Sequence, residues 1–235
     1  MTTIGVYDSG IGGLTTLKIL EANFPFCNFY YLADNKNMPF GSKSKAQLAS
    51  IVSSALKKLK AHSEIQVIAC NTASTLIDDY AIKLLPPTTT SGKTLVMATP
   101  MTISHLQSDG QFADDRYVFA DTPELASLVE VYVSVGARKN CLNLKDLTRY
   151  LAPKLFEFKG VENVVLGCSH YLYVKNEISR ILGAVSFVDG NSKIVETLKT
   201  MLSTTDEKGS ITFDFTADDE TSKYQKIYSL LKATN

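Results

Sequence analysis

Apolar and polar positions along the chain fall into two alternating kinds of stretch. Short β-branched or aromatic runs predict strands at Ile4 to Tyr7, Asn28 to Ala33, Val67 to Ala69, Leu95 to Ala98, Tyr117 to Ala120, Val164 to Leu166, Val185 to Val188 and Ile211 to Phe215. Between them, apolar residues recur at helical spacing: Leu14, Leu17, Leu20 and Phe24, then Ala46, Ile51, Val52, Ala55 and Leu59. Leu76, Ile77, Tyr80, Ala81 and Leu84 keep the same spacing and predict a helix after the third strand. Further helices are expected from Pro123 to about Val135, over Leu142 to Phe158, from His170 to near Gly183, from about Lys193 to Met201 and from Thr221 to Leu231. Strand–helix alternation of this kind predicts an α/β fold with parallel sheets. The run Pro86 to Lys93, rich in proline, threonine and glycine, reads as the crossing into a second unit.

Composition narrows the class. Hydrophobic content of 45% and charged content of 20% are those of an ordinary globular protein. Lys+Arg and Asp+Glu both number 24, so no net field favours nucleic acid or an anionic membrane, and neither partner is expected. No apolar run approaches a membrane span. The N-terminus enters a strand without a basic region and apolar signal core, which predicts a cytoplasmic protein. There Cys27, Cys70, Cys141 and Cys168 would be reduced thiols, and no CxxC or Cys/His spacing points to a metal.

Two of those cysteines share a context. Cys70 follows Val67-Ile68-Ala69 and precedes Asn71-Thr72-Ala73-Ser74; Cys168 follows Val164-Val165-Leu166-Gly167 and precedes Ser169-His170-Tyr171. Each would sit at the carboxyl end of a strand where a helix begins, the place where open α/β sheets bind ligands and where a helix N-terminus lowers a thiol's pKa. A cysteine in an apolar strand is by default a buried structural residue. The repeated context favours a paired-thiol site instead. Cys27, Cys141, His62 and His105 lack such a context and read as structural.

Other polar groups fall at the same strand ends. Asp8 and Ser9 precede the Gly10-Ile11-Gly12-Gly13 turn, placed to orient a ligand or tune a neighbour's pKa, although a plain strand-to-helix turn fits equally. Pro39-Phe40-Gly41-Ser42 would present backbone amides to a carboxylate or form a rigid surface turn. Thr99 and Thr102 would face a carboxylate or cap a helix. Glu130, by its pattern alone, is a solvated helix charge. Two thiols suit one reaction in particular: a thiolate on one face of an amino acid's Cα removes its weakly acidic proton while a thiol on the other returns one. Asp8 and Glu130 are candidate partners for the thiols, and His170 would polarise Cys168, protonate a substrate carboxylate or cap the following helix.

Taken together, these residues resemble the glutamate racemase family of the aspartate/glutamate racemase superfamily. The resemblance is carried by Ile4 to Thr15, Pro39 to Lys43, Ala69 to Ser74 and Leu166 to Tyr171, and more weakly by Ala98 to Ile103, Leu128 to Glu130 and the ending from Ile211. It implies two pseudo-symmetric α/β domains with the active site in the cleft between them, a first domain from residues 1–91 and 189–235 and a second from 92–188. It further implies Cys70 and Cys168 as the acid/base thiols of a cofactor-independent racemisation of glutamate, assisted by Asp8, Glu130 and His170. Ser9, Pro39, Phe40, Gly41, Asn71, Thr72, Thr99, Thr102, Ser169 and His170 would hold the small-molecule amino-acid substrate. Family members are cytoplasmic homodimers that supply D-glutamate for peptidoglycan. Aspartate is the rival substrate, since one methylene distinguishes the two acids, and a trimmed, non-catalytic binding or regulatory protein is the rival from another class. A nucleotide-binding domain fits less well, because the glycine turn has neither a P-loop lysine nor the last glycine of a dinucleotide fingerprint. The chain departs from the family at Phe40 (usually tyrosine), at Ser169 (usually threonine), in the Asp34-Asn35-Lys36-Asn37 loop, and between Leu85 and Thr94, where a strand-helix piece is missing. Loss of a strand would leave a sheet edge to protect.

Overall fold

A computed structural model describes residues 1–40, 43–77 and 81–233. Among the described residues, nine strands form two all-parallel sheets. The first has the order β4-β3-β1-β2-β9, built from β1 (Thr3–Asp8), β2 (Asn28–Ala33), β3 (Ile65–Ile68), β4 (Ile82–Lys83) and β9 (Ile211–Phe215). The second has the order β6-β5-β7-β8, built from β5 (Thr94–Ala98), β6 (Tyr117–Ala120), β7 (Asn163–Gly167) and β8 (Ser186–Val188). Parallel neighbours need crossovers, and the helices supply them: α1 (Leu14–Asn23), α2 (Lys45–Ala61), α3 (Asn71–Ser74), α4 (Pro100–Ser108), α5 (Leu125–Arg138), α6 (Leu147–Leu155), α7 (Lys175–Leu182), α8 (Asn191–Met201) and α9 (Thr221–Ala233). The α/β class expected from the alternation is the class observed.

Local sequence explains the elements. In α1, Leu14, Leu17 and Leu20 are fully buried, each stabilising by roughly 1.5–3 kcal/mol at most. Ser44 starts α2 with a capping box, its hydroxyl accepting from the Gln47 amide while Gln47 returns to the Ser44 amide. Gly183 ends α7 at φ 91°, a conformation that an L side chain resists. Helix α5 packs on α9 and on the 3-10 segment Ser169–Val174 that follows Cys168, so an element between the sheets' crossovers touches both.

Among the described residues, Leu76 to Leu84 do not form the predicted helix. α3 ends after one turn, and Ile82 and Lys83 instead pair with Val67 and Ile68 as β4. Two bonds draw the chain back to the sheet: the Leu84 amide donates to Ile68 O at 2.9 Å, and the Asn71 side-chain amide to Leu84 O at 2.8 Å. Pro86 then disfavours a helical Leu85. Tyr80, part of the predicted stripe, lies outside the described residues. A two-residue edge strand carrying a lysine and followed by Pro86-Pro87 offers little template for another strand, which meets the need for a protected edge. The helix expected over Leu142 to Phe158 is also shorter, spanning Leu147–Leu155 before a 3-10 turn.

The predicted crossing is not a loose tether. The Thr89 amide donates to the Tyr117 hydroxyl at 3.1 Å, Arg116 reaches Thr90 O at 3.2 Å, and Asn163 reaches Ser91 O at 2.8 Å. At Gly190 a Cβ would lie 2.6 Å from Leu85 O, so the outgoing and returning crossovers touch.

Candidate active site

The carboxyl ends of β1, β3, β5 and β7 carry the predicted chemistry. Asp8 ends β1, Cys70 follows β3, Thr99 follows β5 and Cys168 follows β7. The polar network joining them crosses from one sheet to the other. Ser169 donates to Asp8 Oδ2 at 2.9 Å, while Asp8 Oδ1 accepts the Gly10 amide at 2.8 Å. Thr72 and Thr99 hydroxyls lie 2.8 Å apart, and Thr99 and Thr102 hydroxyls 3.0 Å apart, forming a chain of three. His170 Nε2 lies 3.0 Å from Glu130 Oε2, which also accepts the Ile11 amide at 3.1 Å. The Cys70 thiol points to the Ser9 hydroxyl at 3.8 Å. Cys70 and Cys168 are each 5% exposed.

The glycine turn is built for closeness rather than for unusual dihedrals, since Gly10, Gly12 and Gly13 are absent from the positive-φ glycines. A Cβ on Gly12 would lie 2.3 Å from Ser169 Oγ and 2.5 Å from His170 Nδ1; one on Gly10 would lie 2.6 Å from Glu130 Oε2. The turn of the first sheet is thereby pressed against the loop of the second.

Electrostatics hold the Cys70 thiol in its neutral form. Burial, with the Asp8 charge and Cys168 adding to it, pushes the Cys70 thiol up to about 12, against the Ala73 amide and Ser9. The expectation that a helix N-terminus lowers this thiol is therefore overturned: α3 is a single turn, and one amide does not offset desolvation beside a carboxylate. Cys168 has a different neighbour. Burial alone would push the His170 imidazole down, but hydrogen bonds to Cys168 and Glu130 and the charges of Cys168 and Asp8 raise it well above the ordinary value. Burial likewise works to raise the Glu130 carboxyl, and is outweighed by His170, the Ile11 amide and Lys223, which hold it below the usual range. Asp8 goes the other way: burial raises it despite His170, Gly10, Ser169 and Gly13.

The remaining expected residues are placed as follows. Glu130, expected to be solvated from its pattern, is buried on α5, because that helix packs on two neighbours rather than one. Phe40 is buried in an apolar cluster with Tyr7 and Cys70. Pro39 follows a cis peptide bond, and Gly41 lies outside the described residues. Asn71 is buried, with its amide nitrogen committed to Leu84 O and its Oδ1 without a hydrogen-bond partner among the described residues. Cys27 is buried away from this network and Cys141 is exposed.

Some participants carry little sequence signal. Asp34, after β2 as Asp8 closes β1, accepts from the Tyr7 hydroxyl at 3.0 Å, and Tyr7 packs in the same apolar cluster as Cys70. Tyr31 and Tyr173 hydroxyls brace the glycine turn, donating to Gly10 O at 2.7 Å and Ile11 O at 2.9 Å. The strand-end position of Asp34 was a usable signal; the two tyrosines had none.

Known proteins share this fold and much of this sequence. No protein-family model matches the chain. The glutamate racemase of Clostridium acetobutylicum is 33% identical over 236 residues, covering 88% of this chain and 89% of that protein. That of Clostridium novyi is 34% identical over 207 residues, covering 80% and 78%. Among solved structures, glutamate racemase isoform RacE1 of Bacillus anthracis matches with a TM-score of 0.78 at 22% identity, over 100% of this chain and 95% of that one. The Escherichia coli glutamate racemase, solved with L-glutamate and the activator UDP-MurNAc-ala, matches at 0.77 and 23% identity, over 99% and 94%. The fold is shared with both solved structures, and the identity to the clostridial relatives over most of both chains carries the assignment: the chain belongs to the glutamate racemase family, a family of isomerases.

Proposed function

We propose that the chain racemises glutamate without a cofactor, with Cys70 and Cys168 exchanging protons at the two faces of Cα. The observation that carries this reading is the placement of two buried thiols at the carboxyl ends of β3 and β7, one on each sheet, with Asp8–Ser169 and Glu130–His170 bonded beside them. Cys70, held neutral beside Asp8, is set to give a proton, and Cys168 stands next to the raised His170 ring on the other sheet. In one direction the Cys168 sulfur takes the Cα proton and Cys70 delivers its own to the opposite face; in the other the roles reverse. The charge that builds on Cα and its carboxylate at the midpoint is stabilised by the His170 ring and by hydroxyls. Thr72, Thr99 and Thr102 supply those hydroxyls, the substrate replacing the Thr72–Thr99 bond, and Ser9, Ser169, Asn71, Pro39 and Phe40 complete the pocket. Residues 1–91 with 189–235 act as one half of the site and 92–188 as the other. Family membership supports the wider reading: a cytoplasmic homodimer that supplies D-glutamate for peptidoglycan.

Proton NMR of the chain with D- or L-glutamate in deuterated buffer tests the reading. Loss of the Cα–H signal together with appearance of the opposite enantiomer is the expected result. Cys70→Ala should abolish proton removal from one enantiomer and Cys168→Ala from the other, each in a folded protein. Racemisation at the parental rate by either variant would sink the two-thiol mechanism, and turnover of aspartate in place of glutamate would reassign the substrate.

A further inference from the structure

Glu130 is satisfied on one side only. Its Oε2 accepts both His170 Nε2 and the Ile11 amide, while Oε1 is buried with no hydrogen-bond partner among the described residues. A buried carboxylate oxygen without a donor is costly and calls for an explanation. The cation that faces it is Lys223, whose Nζ lies 3.9 Å from Oε1. Lys223 stands near the start of α9, which packs against α5, and its ammonium is also 3.0 Å from Glu220, three residues earlier. Its side chain is 31% exposed against 10% for Glu130. A movement of about 1 Å would turn this ion pair into a charge-assisted hydrogen bond.

We propose that Lys223 is a positioning residue for the racemisation, closing the open side of the Glu130 carboxylate and so fixing the His170 ring against Cys168. The role rests on the proposed function. It links the last helix of the chain to the loop after β7 through Lys223, Glu130 and His170 in turn. The charged and titratable groups around that line come from several elements: Asp8 from β1, Tyr31 from β2, Cys168 and Tyr173 from the segment after β7, and Tyr224 and Glu220 from α9 and its start. Most of these are neutral or anionic, so removing one cation is felt by both members of the Glu130–His170 pair. Both would then hold their protons to higher pH.

The test uses the full chain with Lys223→Gln, Lys223→Arg and Glu220→Gln. The His170 ring resonances, identified by their loss in His170→Asn, are followed by NMR as pH is varied, a readout that needs no turnover. Lys223→Gln should move the His170 titration upward by about one pH unit, and Lys223→Arg should restore it. Glu220→Gln, which releases Lys223 toward Glu130, should move it downward. In steady-state assays Lys223→Gln should lower kcat about tenfold with KM within about twofold, the alkaline limb of the pH profile moving with the NMR titration. A His170 titration and kcat unchanged in folded Lys223→Gln would overturn the positioning role while the parent's racemisation stands. Absence of Cα exchange in the parent itself would overturn the proposed function and this role with it.

Discussion

The Ser169 hydroxyl, which follows a strand of the second sheet, donates at 2.9 Å to the Asp8 carboxylate, which ends a strand of the first. This bond is one of the forces opposing the burial that raises Asp8. Ser169→Ala should therefore raise the Asp8 carboxyl further and shift the acid limb of the pH–rate profile upward. A charge-assisted bond of this kind is worth about 1.5–3 kcal/mol, so kcat/KM should fall by roughly tenfold or more at neutral pH. An unshifted acid limb would show that the hydroxyl serves substrate alone.

The raised Asp8 carboxyl also has a consequence for stability. Its folded value lies above its unfolded value of about 3.9, so the contribution is fully present below that pH and is lost as pH rises through the folded value. Asp8→Asn removes this loss. Urea midpoints measured from pH 3.5 to pH 8 should diverge in favour of Asp8→Asn as pH rises, then run parallel. A constant offset between the two proteins would mean that Asp8 is not raised by folding.

Two thiol environments predict an order of chemical modification. Cys141 is exposed, whereas Cys70 is buried and held neutral, with its thiol at about 12. The reactive species is the thiolate. Iodoacetamide at pH 8 should label Cys141 first, with Cys70 labelled orders of magnitude more slowly, as read by peptide mass spectrometry over time. Labelling of Cys70 as fast as Cys141 would contradict the closed, neutral state of that thiol.

Gly12 offers a steric test. An added methyl would meet Ser169 Oγ at 2.3 Å and His170 Nδ1 at 2.5 Å, so one or both side chains must move. Overpacking of this kind costs about 1–3 kcal/mol of stability. Gly12→Ala should fold with a lowered urea midpoint and lose most of its turnover, because the groups displaced are those around Cys168. Retained turnover in a destabilised protein would place the reacting atoms away from this contact.

Much of this architecture was legible as pattern. The strand at Asn28–Ala33 and the strand at Ile211–Phe215 match the apolar runs residue for residue, because each is a short β-branched or aromatic segment with polar ends. The stripe at Leu76 to Leu84 misled because a helical period and a buried sheet edge both call for apolar residues, and only tertiary bonds to Ile68 and Asn71 decide between them. Glu130 was hidden for a related reason. Glu130 lies three and seven residues before the buried Val133 and Ala137, but a carboxylate in an apolar stripe reads as solvated until its partners, His170 and the Ile11 amide, arrive from other elements. The cysteine motifs marked the strand ends correctly. What they did not carry was the unequal surroundings of the two thiols, which depend on Asp8 and His170 arriving from different sheets.

The buried Glu130–His170 pair makes the sharpest prediction about pH. His170 is raised, so its contribution to stability is fully present below the unfolded imidazole value of about 6.5 and is lost as pH rises through the folded value. Glu130 is lowered, so its contribution is present above about 4.3 and is lost as pH falls through the folded value. Both contributions are complete between those pH values. Glu130→Gln removes the charge from the pair while keeping its size, and leaves His170 without its buried counter-ion. Breaking a buried pair on one side costs about 3–5 kcal/mol, with the lower figure suited to a glutamine that still accepts a bond. The difference in unfolding free energy between parent and Glu130→Gln should peak near pH 5.5 and shrink toward both pH 3.5 and pH 9. A difference that is flat across this range would mean that the pair is not charged in the folded chain, and the role given to His170 beside Cys168 would fall with it.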